Sequence, residues 1–326
     1  MGSNNPPFAF GRGLPYFGLS AGLSTEFGTW LPPGAQVTAY VRATEMERVP
    51  REMARRRVPT LAAALAQVQN PGDIVYVMPG HTENVTDATM LDNLQAGTRI
   101  IGMGCPDQDD APTFTWSAEA SNWTLDQKNV LIQGLRLQMN GANSITECVT
   151  VTGAGCKMVG NYINFGSGAS NDCDIGISIE ADGFTLSGND IEMSGGTAVS
   201  PILVPDSASS DRLKIHNNLI SCILSGTTNG VIEFGDTACL RIHIADNYIA
   251  NRTAASTHCI KWADDVATTG LVHGNYLGTL ANANPSSGGG FSVAGTTNID
   301  LHFFENYHCD GEGGVTGLLA PAAATN

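Results

Sequence analysis

The chain has 326 residues, 38 of them glycine, with 42% hydrophobic and 14% charged side chains and a formal net charge of −15. That length holds one long repeating body plus an arm, and the acidic balance argues against nonspecific nucleic-acid binding and against adhesion to anionic lipid. No apolar run approaches membrane-spanning length, MGSNNPPFAF lacks the basic-then-apolar pattern of a secretory leader, and Pro6 stands where a myristoylation signal carries Ser or Thr.

Residues 1–57 set Pro6, Pro7, Pro15, Pro32 and Pro33 beside Phe8, Phe10, Tyr16, Phe17, Phe27 and Trp30. This is too proline-rich for a compact unit and too aromatic for a plain solvated linker. The segment also holds seven arginines (Arg12, Arg42, Arg48, Arg51, Arg55, Arg56, Arg57) against four glutamates, net +3, whereas the remainder is net −18. A mildly basic aromatic arm on an acidic body reads as an extended anchor that buries its rings on another protein surface or a neighbouring copy. The alternatives are an arm folded back on its own body, and a solvated helix face for Arg48–Arg57.

Pro59 suits the first turn of a helix, and Leu61, Leu65 and Val68 give it one apolar face, predicting a capping helix over 59–69. Asn70-Pro71-Gly72-Asp73 stops it, and IVYVMPG (74–80) follows as a strand. RIIGMG (99–104) reads as another strand. Asp107, Asp109 and Asp110 then form an acidic turn; it lacks the twelve-residue calcium-loop pattern with its terminal Glu, so a solvated turn is the preferred reading over a calcium site. VLIQGLRLQM (130–139) looks like a looser copy of what comes next, with Gly134 in the slot that Asn takes later.

Six segments then share one pattern: CKMVGNYI, FTLSGNDI, LKIHNNLI, RIHIADNYI, LVHGNYL and LHFFENYH. Their asparagines, Asn161, Asn189, Asn218, Asn247, Asn275 and Asn306, are separated by 28, 29, 29, 28 and 31 residues. A repeat this short cannot bury its own apolar face and must stack on its neighbours. The period inside each segment is two, so each is a strand. Met158, Leu186, Ile215, Ile244, Val272 and Phe303 share the slot three before the Asn, and Ile163, Ile191, Ile220, Ile249 and Leu277 the slot two after it. The Asn is expected at a tight corner, where it tolerates positive φ and bonds its counterpart one coil above and below. Second strands precede each Asn: CVTV, IGISI, ILV, VIEF, CIKW and FSV. The predicted fold class is all-β, a parallel β-helix over 58–310, with 311–326 leaving the repeat as a tail.

Eight cysteines form no C-x-x-C pair and read as buried reduced thiols. Alternation points His216 and His273 (two before their Asn), His243 and His302 (four before theirs) and the tyrosines Tyr162, Tyr248, Tyr276 and Tyr307 away from the bore. The irregular spacing of the histidines gives no metal triad, and no metal or cofactor is implied. An oligomer interface through Tyr162, His216, Tyr248, His273, Tyr276 and Tyr307 is the preferred reading, ahead of an ordinary exposed stripe or a sugar site. Asp190 with Glu192, Glu180 with Asp182, and Asp264 with Asp265 are the carboxylate pairs a glycosidase would need; they are read as solubilising charge. Asp264-Asp265 followed by His273-Gly274 is faintly similar to the polygalacturonase order, but Val272 replaces its first Gly and no Lys or Arg follows Lys261. An acidic body would also repel the acidic substrate of a pectate lyase.

The helix–PGD–strand–PG run of 59–80 resembles the N-terminal cap of right-handed parallel β-helix proteins, among them pectin-degrading enzymes and tailed-phage virion proteins. With RIIGMG and the Asn coils, the whole chain resembles the β-helical virion proteins of tailed bacteriophages. That resemblance implies a right-handed, homotrimeric, non-enzymatic head decoration or cement protein. Its partner would be the major capsid protein and its place the capsid surface, after assembly in the host cytoplasm. The anchoring residues would be Phe8, Phe10, Arg12, Tyr16, Phe17, Phe27, Trp30, Arg48, Arg55, Arg56 and Arg57. A tailspike-like polysaccharide depolymerase or another tail component is the alternative.

Overall fold

The structure is a computed structural model, and it describes residues 37–41, 57–141, 145–168, 171–207, 210–226, 228–253, 258–262, 268–280, 290–293, 299–309 and 315–319. Within these the chain winds as a parallel β-helix. Each coil lays down three strands, which build three faces. The first face is an eleven-stranded sheet in which, from Ile74–Val77 onward, neighbours are one coil apart; the second and third are joined in a seventeen-stranded sheet.

The predicted apolar slots stack in register. Met158 pairs with Leu186, then Ile215, Ile244, Val272 and Phe303 along the first face. Leu137, Ile163, Ile191, Ile220, Ile249 and Leu277 do the same on the second. Val149, Ile177, Ile202, Ile232, Ile260 and Phe291 line the third. Each coil thus delivers one apolar side chain from each face into a continuous bore, which no single coil could close.

The cap is shorter than the sequence predicts. The helix spans Leu61–Leu65, and Thr60 is its N-cap, accepting from the Ala63 N–H; Pro59 therefore precedes the cap and is not in the first turn. Beyond Ala66 the N–H groups of Gln67 and Val68 bond three residues back, to Ala64 and Leu65, so the helix tightens and stops. Asp73 then accepts from the N–H groups of Gln69 and Asn70, and Gly72 turns the chain at φ +86° into Ile74–Val77.

Part of the segment expected as an arm belongs to the solenoid. Val37–Val41 pairs parallel with Ile74–Val77, and Arg57–Val58 pairs with Val37–Val41. The anchoring candidates Phe8, Phe10, Arg12, Tyr16, Phe17, Phe27, Trp30, Arg48, Arg55 and Arg56 lie outside the described residues. At the other end Val315–Leu319 runs antiparallel to Asn306–Cys309, so the tail leaves the parallel repeat by turning back along the last coil.

The Asn corner differs from expectation by one residue. The left-handed position is the residue before the Asn: Gly160, Gly188, Asn217, Asp246, Gly274 and Glu305 have φ between +54° and +65°. Register also moves the looser copy. Gln133 faces Val159, so Gly134 (φ +70°) aligns with Gly160, and Leu135 occupies the Asn slot. A second corner, one or two residues before the first-face strand of six coils, is left-handed too, at Gly97, Asn129, Gly155, Gly183, Arg212 and Arg241.

Candidate functional site: the asparagine corner and its flanks

The six asparagines form one buried ladder. Asn189 Oδ1 accepts from both the backbone N–H and the Nδ2 of Asn161, each at 3.0 Å, and its own Nδ2 reaches the Met158 carbonyl at 3.0 Å. The same three contacts recur at Asn218, Asn247, Asn275 and Asn306. Asn161 opens the ladder by accepting from the Leu135 N–H at 3.0 Å. Every amide atom here is used inside the chain, so the ladder registers coils and offers no free group to a ligand.

Two outward columns flank this corner. On the second face, Tyr162, Asp190, Leu219, Tyr248, Tyr276 and Tyr307 follow one another, one per coil. The column changes character along its length. Tyr162 donates to Glu192 at 3.0 Å and lies under Arg136, whose guanidinium carbon is 5.3 Å from the ring centre. Burial pushes the Tyr162 phenol up. Further on, Leu219, Tyr248, Tyr276 and Tyr307 are 42–55% exposed, joined on the same face by Ile223 and Leu280. The Tyr276 and Tyr307 rings stack on each other with centres 5.1 Å apart and planes 14° apart. They therefore turn edges and hydroxyls outward, not the open faces on which a sugar ring would stack.

On the first face, Ser187, His216, Ala245, His273 and Phe304 form the other column. His216 is half-buried, and its Nδ1 accepts from Asn217 Nδ2 at 3.0 Å, with Ser187 Oγ 3.2 Å away. His273 stacks on Phe304 with centres 4.6 Å apart and planes 7° apart. His243, one coil below and two residues earlier in register, reaches across Ala245 to bring its Nε2 within 2.9 Å of His273 Nε2. Burial lowers the His243 pKa, and His273, His216 and Lys214 lower it further while Asp246 opposes them. The sequence reading missed this pair. Its signal was the slot offset itself: four before the Asn on one coil and two before it on the next place the rings diagonally, with a small residue between. His302, in the His243 slot of the last coil, stays exposed beside Asp300.

The carboxylate pairs divide. Asp264 and Asp265 lie outside the described residues. Asp182 caps a corner, accepting from the Asp211 N–H at 2.8 Å, while Glu180 is exposed. Asp190 and Glu192 sit two apart on the second face. Glu192 accepts from Tyr162 and Asn164, and the Asp190 pKa is raised by burial, then by Glu192 and Asp107. Asp107 itself accepts from the Cys105 thiol at 2.8 Å. Among the described residues no three His, Cys, Asp or Glu side chains converge as a metal-binding group. A shallow depression beside the third face is lined by Glu119, Asn122 and Glu147, with Glu147 held by Thr150.

Six of the eight cysteines are buried as expected. Burial pushes Cys156 up to about 11 and Cys259 up to about 12, so neither is a nucleophile near neutral pH. Cys105 is half-buried and Cys309 exposed.

No family model, no curated protein and no solved structure matches this chain.

Proposed function

We propose that this chain is a structural, non-catalytic virion protein of a tailed phage. In this reading it decorates or cements the head, binds the major capsid protein through its N-terminal segment, and self-associates as a homotrimer. The observation that carries it is the distribution of exposed apolar side chains. All nine large hydrophobics exposed among the described residues, from Leu219 to Tyr307, lie on the C-terminal coils. A flat apolar column parallel to the axis of a rigid rod suits side-by-side packing of identical rods. The interface would run through Leu219, Tyr248, Tyr276 and Tyr307. Tyr162, His216 and His273 already have partners within the chain and would sit at its margin. The acidic remainder would face outward and disperse particles.

Because Val37–Val41 is part of the solenoid, the truncation that tests anchoring removes 1–36. The full chain should co-sediment with phage heads lacking it, and the truncated chain should remain folded but stay in the supernatant. Full occupancy by the truncated chain would overturn the anchor.

A second reading rests on Asp190 and Glu192, two carboxylates on one outward face, with burial and then Glu192 raising the Asp190 pKa in the direction a general acid uses. It makes the chain a polysaccharide depolymerase. Release of new reducing ends from host surface glycan, abolished by Asp190→Asn, would establish that reading and remove the non-catalytic one.

A further inference from the structure

We infer that His243 and His273 form a bidentate site for a tetragonal divalent transition-metal ion, of which Ni2+ is the working probe. The argument starts from the geometry of the two rings. Their Nε2 atoms face each other at 2.9 Å across Ala245, from adjacent strands of a registered sheet. Imidazole nitrogens bind such ions at about 2.0–2.1 Å, so two cis positions of a square or octahedral ion lie about 2.9 Å apart, and two corners of a tetrahedral ion about 3.4 Å apart. The spacing found equals the cis separation, but the ring centres are 5.1 Å apart, so the rings lie end to end and each must turn for its Nε2 lone pair to leave the N···N line and meet the other at a shared ion. The preference for Ni2+ or Cu2+ over Zn2+ follows from the general affinity order of imidazole sites.

The strands and one ring face are held in place. His273 is stacked on Phe304, both histidines are half-buried, and the strands that carry them, Ile242–Ala245 and Thr268–His273, are paired along the first face. Ala245, fully packed beneath, leaves the space over the sheet into which both rings lean. Both side chains are partly exposed, so water would supply the remaining ligand positions. His216 is not a third ligand as it stands, because its Nδ1 is engaged by Asn217. Without metal, the 2.9 Å contact is an N–H···N hydrogen bond, which requires one ring to carry its proton on Nε2. With metal, that ring carries the proton on Nδ1 and both Nε2 lone pairs point at the ion. The exchange is a change of tautomer, with no net proton released. Bound metal would tie two successive coils together at the edge of the apolar column.

The test titrates the full chain with Ni2+ by calorimetry, with Cys309→Ser in every sample to remove the exposed thiol. The expected result is one Ni2+ per chain, bound at least tenfold more weakly after His243→Gln or His273→Gln and unchanged after His302→Gln. Zn2+ should bind more weakly than Ni2+. Affinity that survives both glutamine substitutions, or that favours Zn2+, would overturn the site. Far-UV circular dichroism checks each variant. If the glutamine variants lose their β spectrum, carbethoxylation of the unsubstituted chain decides: Ni2+ should protect His243 and His273 and leave His302 reactive, and equal labelling with and without Ni2+ would overturn the proposal.

Discussion

The coils up to Met193 and the coils from Leu213 onward share one backbone and carry different surfaces. Their inward ladders and Asn contacts are interchangeable. Outward, the early coils show Arg136, Asn164, Asp190 and Glu192, whereas the later ones show Leu219, Tyr248, Tyr276 and Tyr307. The corners differ in the same direction. Apart from Asn129, the early left-handed corner positions are glycines (Gly97, Gly134, Gly155, Gly160, Gly183 and Gly188), while the later ones are Arg212, Asn217, Arg241, Asp246 and Glu305 beside Gly274. A left-handed residue with a side chain costs about 1–2 kcal/mol, least for Asn and Asp. The inside of a β-helix thus fixes its geometry, and the outside is free to vary coil by coil, even at some cost in strain.

The sharpest way to break the shared backbone is at its closest approach. A Cβ on Gly102 would stand 2.0 Å from the Gly134 carbonyl oxygen, and both groups are main chain. Gly102→Ala should cost more than about 4 kcal/mol and yield little soluble protein, read by expression and thermal unfolding. A normal melting temperature would show that the early coils can separate. Next in size is the ladder. Asn218→Ala removes an acceptor from Asn189 and donors to Leu186 and Asn247 in a buried row. It should cost about 3–5 kcal/mol, and Asn306→Ala, which has a ladder neighbour on one side and makes three such bonds in place of four, about three quarters as much. Equal losses at both positions would mean that the ladder does not act as a row.

These two effects also mark what was legible in the sequence. The Asn period is visible because an amide that bonds its own copy must recur at the coil length, and apolar slots recur with it. The left-handed corner was misplaced by one residue because Gly, Asn, Asp and Glu all fill it, so composition gives no column to read. Leu135 hid in the Asn slot because the first rung needs only to donate its N–H. The helix end escaped because Val68 stays buried after the turns have tightened. The His243–His273 contact depends on a diagonal between coils, which becomes visible once the strand register is known.

Smaller effects separate the surfaces. Tyr248→Ser with Tyr276→Ser should leave the melting temperature within about 2 °C of the parent, since both rings are exposed. Self-association, read by sedimentation velocity, should fall by tenfold or more if the apolar column is the contact. Unchanged association would move the interface elsewhere. The pH response should be milder. Burial lowers the folded-state pKa of both His243 and His258 below the ordinary value of 6.5. The unfolded chain then binds more protons as pH falls below about 7, so stability should decline between pH 7 and 5 by this route. His258→Gln should flatten the profile of melting temperature against pH in that window, and an unaltered slope would assign the loss to other groups.

The asparagine row makes length a free variable. Every interior amide takes two bonds from the coil before and gives the same bonds to the coil after, so copying one whole 28- or 29-residue unit between Asn189 and Asn247 leaves each neighbour with the partners it had. Gene duplication in such a chain can lengthen or shorten the shaft by one strand spacing, about 4.8 Å, without redesigning either end. The length of the solenoid can therefore drift under selection while its two ends stay the same.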